Sequence, residues 1–249
     1  MGRLLTDIEL RARWNIKRKH IIEVEEGTIL TPAARDFIRE NKIKLQFTSA
    51  PDNNTMTRLK PPTKGGKPVF IDYASGSEIN NKPETMTHLR ANVLVPKTDE
   101  VIFFRGQLDK LQAMVVDVAV LANEEGDTYT LTGLADMLSY LREMMAANVK
   151  EEPLREINLL GLSDEEIHKM SHDIKGSFGI DHPSPCFRQG KLCAKLNLLR
   201  TEVREVELWA ARAYEREDGS FERSDIIQGL NRLSSFVYIL YCKRVAEQM

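Results

Sequence analysis

The strongest pattern in the chain is a run of apolar residues at three- and four-residue steps: Leu192, Leu196, Leu199, Val203, Val206, Ala210 and Ala213. That spacing predicts one buried face of a long amphipathic helix near 191–217. A second helical pattern follows near 224–246, with Ser224 as its expected N-cap. Upstream, Leu108, Leu111, Val115, Val118 and Leu121 predict a helix over roughly 104–124, and Leu134, Leu138, Leu141 and Met145 another over 130–148. Ser163-Asp164-Glu165-Glu166 has the form of a capping box that opens a third, short helix. From Gly176 to Gly190 the chain reads as an irregular loop. Strand signals are nearly absent across this region. The expected fold class is therefore mainly α, a bundle of about five helices.

The N-terminal part patterns differently and adds a small α+β module over residues 1–48. Thr6 to Glu9 can cap a short first helix, and Ile21-Ile22-Glu23-Val24 is a strand-like run. Thr31-Pro32 opens a helix through Ala33, Ala34, Phe37 and Ile38 that Asn41 stops; Ile43 to Phe47 then alternates like a strand. Residues 49–85 carry prolines at 51, 61, 62, 68 and 83, and Asn53-Asn54 and Asn80-Asn81, and read as a linker. Residues 86–249 make up the bundle domain.

Composition narrows the function. The chain has 249 residues, 42% of them hydrophobic, and a formal charge of −2. That balance argues against nonspecific nucleic-acid binding, which replaces counterions with a basic surface. No stretch is long and apolar enough to span a bilayer. The N-terminus turns charged at once after Met1-Gly2-Arg3, so no signal peptide is expected, and the loose myristoylation pattern of Gly2 with Thr6 reads as a chance match. Cys186, Cys193 and Cys242 show no Cys-x-x-Cys spacing. Free thiols in a reducing cytoplasm are expected, without a zinc or disulfide framework.

Candidate chemistry lies along the helix edges. Arg200, Arg204 and Glu207 form a polar stripe that borders the apolar face of the 191–217 helix. Two guanidiniums at i and i+4 on a rigid helix make a phosphate clamp; the same stripe also reads as a solvated flank of helical ion pairs. Leu230-Asn231-Arg232-Leu233-Ser234 sets a second polar group into an apolar helix. Asp109 falls among inward-facing leucines after Phe104-Arg105-Gly106, either as a first-turn carboxylate favoured by the helix dipole or as a partner for one of the later arginines. Lys97 sits in the preceding loop.

Taken in order, Lys97-Thr98, Gly106 with Asp109 and Leu111, Arg200-Thr201 with Arg204 and Glu207, and Leu230 to Ser234 resemble the ATP:corrinoid adenosyltransferases over residues 86–249. The leading Leu30-Thr31-Pro32-Ala33-Ala34-Arg35 is similar to the ethanolamine-utilisation type, a relative of the propanediol-utilisation type. Two features of the wider family are missing. The linker has no cysteine, so the His and Cys-Cys-x-x-Cys metal motif of some relatives is absent, and no metal ligands are assigned. The Gly-rich phosphate loop is not visible either, with Lys64-Gly65-Gly66-Lys67 as a weak substitute, and Ser235 stands where the family has Asp.

The resemblance implies transfer of the 5′-deoxyadenosyl group of ATP to the cobalt of cob(I)alamin. Mg²⁺ would accompany ATP, and cobalamin would be a substrate. It implies ATP binding by Lys97, Arg204, Glu207 and Asn231, and an ion pair of Asp109 with Arg200 that shapes the corrin pocket. Either Phe178 or Phe187 would fill the lower face of the corrin. His172 and His182, in the same region, are not assigned to cobalt. The implied assembly is a homo-oligomer, trimer or dimer, with sites between subunits. The implied setting is the cytoplasm or a bacterial microcompartment, beside a downstream B12-dependent enzyme. The alternative is a corrinoid-binding or delivery module without chemistry.

Overall fold

The computed structural model describes residues 4–5, 21–25, 29–30, 32–41, 43–48, 63–64 and 67–248. The chain divides into two compact units, Met1–Pro96 and Lys97–Met249. The expected caps at Thr6 and Thr31 lie outside the described residues.

In the first unit, strands Ile21–Glu25 and Lys44–Thr48 pair in parallel, and helix α1, Pro32–Glu40, connects them. Leu4–Leu5 and Ile29–Leu30 form a second parallel pair. Val24, Ala34, Phe37 and Ile43 close a small core, and the Asn41 side chain donates to the carbonyl of Phe37 at the helix end. The stretch that reads as linker is not structureless throughout. Phe70–Asp72 and Glu78–Ile79 join the hairpin Met86–Arg90 and Val93–Pro96 in one four-stranded sheet. Proline and glycine mask this sheet in the sequence because its strands are short and joined by tight turns. In one of these, Asp72 accepts from the Ser75 backbone at 2.8 Å.

The second unit holds six helices among its described residues: α2 Glu100–Glu124, α3 Thr128–Lys150, α4 Asp164–His172, α5 Ile174–Phe178, α6 Gly190–Tyr214 and α7 Ser224–Ala246. Five match the expected helices, and α5 is a single extra turn. Asp99 and Asp127 cap α2 and α3, and Ser163 with Glu166 closes the capping box of α4. Ser224 is not the cap of α7 that its sequence suggested. It is already the first helical residue, and Arg223 holds the cap position without a side-chain capping bond. Arg223 instead grips Asp225 with two bonds of 2.9 Å, and Asp225 accepts from the Leu154 backbone. Burial opposes ionisation of Asp225, but these donors outweigh it and hold its carboxyl below the usual range.

One core joins all six helices. The predicted inner faces of α2 and α6 are buried, except that Ala213 is half-exposed and Tyr214 takes the inner position. The inner face of α3 is rotated from the expected one. Leu134 and Leu141 are buried with Met137, Tyr140 and Met144, while Leu138 and Met145 are half-exposed. The wider apolar arc of α3 faces more than one neighbour, so a single stripe could not describe it. Helices α2 and α6 run antiparallel along a seam of residues spaced by seven. Phe103 meets Trp209 at 4.4 Å between ring centroids, Lys110 lies 2.5 Å from Glu202, and Lys195 lies 2.6 Å from Asp117.

Gly229 lets α7 approach α3. A Cβ there would lie 2.8 Å from the Tyr140 hydroxyl and 3.2 Å from Leu154 and Met144. Gly229→Ala is expected to lower stability by about 1–3 kcal/mol through overpacking. Gly106 in α2 meets nothing within 4 Å, so Gly106→Ala should raise stability by about 0.5–1 kcal/mol. Denaturant unfolding of both variants checks this, and equal effects would contradict the packing described.

Candidate functional site

Helices α6 and α7 carry the polar residues that the bundle does not need for packing. On α6, Glu207 is half-buried and accepts a hydrogen bond from the Asn231 side-chain amide at 3.1 Å. This pair floors an open hollow of about 350 Å³, lined also by Phe221, Ser224, Ile227 and Gln228. The volume falls at the low end of small-molecule clefts. Ser224, Ile227, Gln228 and Asn231 share one face of α7 at three- and four-residue steps. Four of these lining residues, Phe221, Ser224, Ile227 and Gln228, are not among the site residues that the sequence suggested. The signal was present in the polar positions 224, 228 and 231 of an otherwise apolar helix.

Arg204, one turn before Glu207, is exposed and has no ion pair or hydrogen bond among the described residues. Lys97 is exposed just before the Asp99 cap of α2, near the end of α6 where Glu100 pairs with Arg212. The structure thus brings Glu207 and Asn231 together, with Arg204 beside them.

Arg200 lies one turn further toward the start of α6. Its guanidinium donates to Asn197 at 3.2 Å and rests 5.9 Å from the centre of the Tyr238 ring. Its Nε is buried and has no hydrogen-bond partner among the described residues. Such an orphaned donor is costly. Asp109 does not partner Arg200 within one chain. It is exposed on the outer face of α2, where the sequence reading had put it among inward leucines. The residues that face in are Leu108 and Leu111; Asp109 follows Leu108 by one step, which turns it about 100° away from the core.

Tyr238 shares a 2.8 Å hydrogen bond with His182, and the two rings are nearly parallel. Burial pushes the Tyr238 phenol up, and burial also pushes the Cys242 thiol up to about 11. Cys242 is therefore a packed thiol rather than a nucleophile at neutral pH. Of the two loop aromatics, Phe178 packs against the core at the end of α5, whereas Phe187 is 85% exposed in the turn Phe187–Gln189. His168 and His172 lie with ring centroids 4.5 Å apart on α4. Among the described residues, no group of three or more His, Cys, Asp or Glu side chains converges as a metal site.

Arg232, next to Asn231, has a different task. Its Nε lies 2.9 Å from Asp164, and it donates to Nδ1 of His168 at 3.1 Å. It therefore ties α4 to α7 and does not face the hollow.

The residues of this site sit on a scaffold with relatives. The family model described as cobalamin adenosyltransferase matches residues 79–244. The chain belongs to the cobalamin adenosyltransferase family. It is 31% identical to the corrinoid adenosyltransferase EutT of Escherichia coli (strain K12), over all of this chain and 94% of that protein. It is 30% identical to EutT of Salmonella typhimurium, over 99% of this chain and 94% of that protein. A solved variant of a PduO-type ATP:corrinoid adenosyltransferase from Lactobacillus reuteri, complexed with cobalamin and ATP, covers 62% of this chain and 86% of its own at 16% identity, with a TM-score of 0.49.

The divided duties of α7 give a test. Arg232→Gln should lower stability by about 1–3 kcal/mol, because it removes the tie to Asp164 and His168. Arg204→Ala, at an exposed and unpaired position, should stay within about 0.5 kcal/mol of the wild type. Thermal unfolding of the two variants reads the difference, and an Arg204 variant as unstable as the Arg232 one would remove Arg204 from the site.

Proposed function

We propose that the chain transfers the 5′-deoxyadenosyl group of ATP to the cobalt of cob(I)alamin and makes adenosylcobalamin. The observation that carries this reading is the set of unspent polar groups on α6 and α7 of an adenosyltransferase scaffold: a hollow floored by Glu207 and Asn231, free Arg204 beside it, and the orphaned Nε of Arg200. Reduced cobalt is itself the nucleophile, so the protein supplies position, charge neutralisation and exclusion of water rather than a general base. The high-lying Cys242 thiol accords with that division of labour.

Arg204 and Lys97 neutralise the polyphosphate, while Glu207 and Asn231 orient the nucleoside. Mg²⁺ rides on the phosphates, as it does where one or two carboxylates and substrate oxygens hold it. Phe187, exposed in its turn, is the better placed of the two aromatics to reach the corrin; Phe178 is spent on packing. The ethanolamine connection, the cytoplasmic or microcompartment setting and a downstream B12-dependent enzyme as recipient follow from the branch resemblance. No helix among the described residues is long and apolar enough to cross a membrane. A delivery module without chemistry would have no use for a free guanidinium beside the hollow, so that reading ranks second.

The site is completed by a second copy. Asp109 heads an outer face of α2 that continues through Ala113, Val116 and Val120, and both valines are largely exposed, at 45% and 53%. An apolar face ending in a carboxylate without a partner among the described residues suits a neighbour that presents a guanidinium such as that of Arg200. Asp109 and Arg200 thus form an ion pair across subunits of a homo-oligomer, trimer or dimer.

Incubation with ATP, Mg²⁺ and reduced cobalamin should yield the light-sensitive spectrum of adenosylcobalamin; its absence, with folded protein and confirmed cob(I)alamin, would sink the proposal. Arg204→Ala should raise the KM for ATP by roughly tenfold to a hundredfold, from the loss of a charge-assisted contact of about 1.5–3 kcal/mol. A KM within twofold of wild type would return that arginine to the role of solvated flank. Asp109→Ala and Arg200→Ala should each be nearly inactive, since breaking a partly buried pair costs about 3–5 kcal/mol. Co-expressed, the two variants should regain a substantial fraction of activity, because some sites in mixed oligomers contain neither defect. Mixed oligomers as dead as either parent would show that both residues act within one chain.

A further inference from the structure

The segment between α5 and α6 carries Pro183 and Pro185 and is fastened to α7 at two points. At the first, His182 and the Tyr238 hydroxyl share a 2.8 Å bond. At the second, Gln189 gathers several bonds. Its side-chain oxygen accepts from the Cys186 backbone at 2.9 Å and from the Tyr241 hydroxyl at 2.9 Å, which uses both of its lone pairs. Its side-chain nitrogen donates to the Ser184 carbonyl at 3.1 Å, and its own carbonyl accepts from the Gln248 side chain at 3.0 Å. Tyr238 and Tyr241 stand about one turn apart on α7, so one face of that helix holds both points of the segment.

Phe187 lies between these fastenings and is 85% exposed. The two prolines restrict the backbone before it. The turn Phe187–Gln189 is closed by a bond from the Gln189 backbone to the Cys186 carbonyl at 3.1 Å. The Arg188 guanidinium rests 5.6 Å from the centre of the Phe187 ring. Ordering a turn costs entropy, and this turn gains no burial of its own aromatic ring in return. The arrangement makes sense where the ring is buried against a ligand that meets it already in place. The same tyrosines reach Arg200. Its guanidinium lies 5.9 Å from the centre of the Tyr238 ring, and that ring is 6.1 Å from the ring of Tyr241. The Phe187 turn and Arg200 are thus held to one surface of α7.

We infer that Gln189 is a positioning residue for the adenosyl transfer: braced on Tyr241, it holds the Phe187 ring at a fixed place relative to Arg200, where the ring meets the apolar face of the corrin. Gln189 is half-buried and its side-chain oxygen is fully used, so it acts through Phe187 and not on the substrate. A ring carried by a loose loop would have to be ordered as the corrin arrives. A ring on a braced turn is spared that cost, and the binding free energy goes into displacing the axial nitrogen from cobalt. This inference rests on the reading of the chain as an adenosyltransferase with Phe187 as its corrin-facing aromatic, and it adds the groups that set that ring.

Full-length Gln189→Ala, Phe187→Ala and the double variant test it. Steady-state kinetics are combined with electron paramagnetic resonance of cob(II)alamin bound in the presence of ATP, which reads whether the axial nitrogen has left the cobalt. In the wild type a substantial fraction of the bound cob(II)alamin should lack that nitrogen. Gln189→Ala should lower this fraction and cut kcat by roughly tenfold to a hundredfold, with the KM for ATP within about twofold of wild type. The double variant should stay within about twofold of Phe187→Ala, because Gln189 acts only through the ring. Thermal unfolding checks the fold; should Gln189→Ala not fold, Tyr241→Phe, which removes one of the Gln189 bonds, should show the same split between kcat and KM. If the wild type forms adenosylcobalamin, three results would each overturn this inference alone: a Gln189→Ala kcat within twofold of wild type, a double variant clearly slower than Phe187→Ala, or wild-type cob(II)alamin that keeps its axial nitrogen throughout. If the wild type forms no product, the functional reading fails and takes the inference with it.

Discussion

The antiparallel seam between α2 and α6 governs where every candidate ligand group can stand. Helix α6 has three uses for its circumference. One arc, Leu192 through Ala210, is buried in the core; a second, Lys195, Glu202 and Trp209, meets α2. What remains beside α7 is the edge that carries Arg200, Arg204 and Glu207. Because the first two arcs fix the rotation of the helix, the third cannot turn away from α7 without undoing the core. The polar stripe is therefore held at low entropic cost by packing that has nothing to do with ligands, which is the requirement for positioning without a general base.

Much of this was legible in the sequence because it rests on period. A single residue step of 100° separates core from edge in a helix, so Leu199 and Val203 disclose Arg200 and Arg204 at once. The limits were equally physical. Asp109 follows a buried leucine, and adjacency in sequence was mistaken for adjacency in space. The four-stranded sheet of the first unit was hidden because strands of two to five residues joined by Pro- and Gly-containing turns carry little period to detect. Phe221 was invisible for another reason. Its relevance comes from a hollow whose two walls are the end of α6 and the start of α7, and no spacing rule links a helix to the loop that precedes its neighbour.

Helix α7 shows how one short motif can serve two purposes. Asn231 faces Glu207 and the hollow, while Arg232 faces Asp164 and His168 on α4. Asp164 in turn holds Gln228, so the anchor of α4 and the rim of the hollow share a carboxylate. Docking of the small helix and the shape of the site are consequently coupled through two oxygens of one side chain.

The charges along the α2–α6 seam have an effect on assembly as well as on stability. The polarity of the rungs alternates: Lys110 on α2 faces Glu202, but Asp117 on α2 faces Lys195. Sliding the helices by seven residues in one direction would set Lys110 against Lys195. Sliding them by seven in the other would set Asp117 against Glu202. Apolar contacts that repeat every seven residues tolerate such slips, whereas this order of charges penalises both. During folding, the two longest helices of the bundle are thus keyed to a single alignment, and any misaligned pairing carries its own electrostatic repulsion.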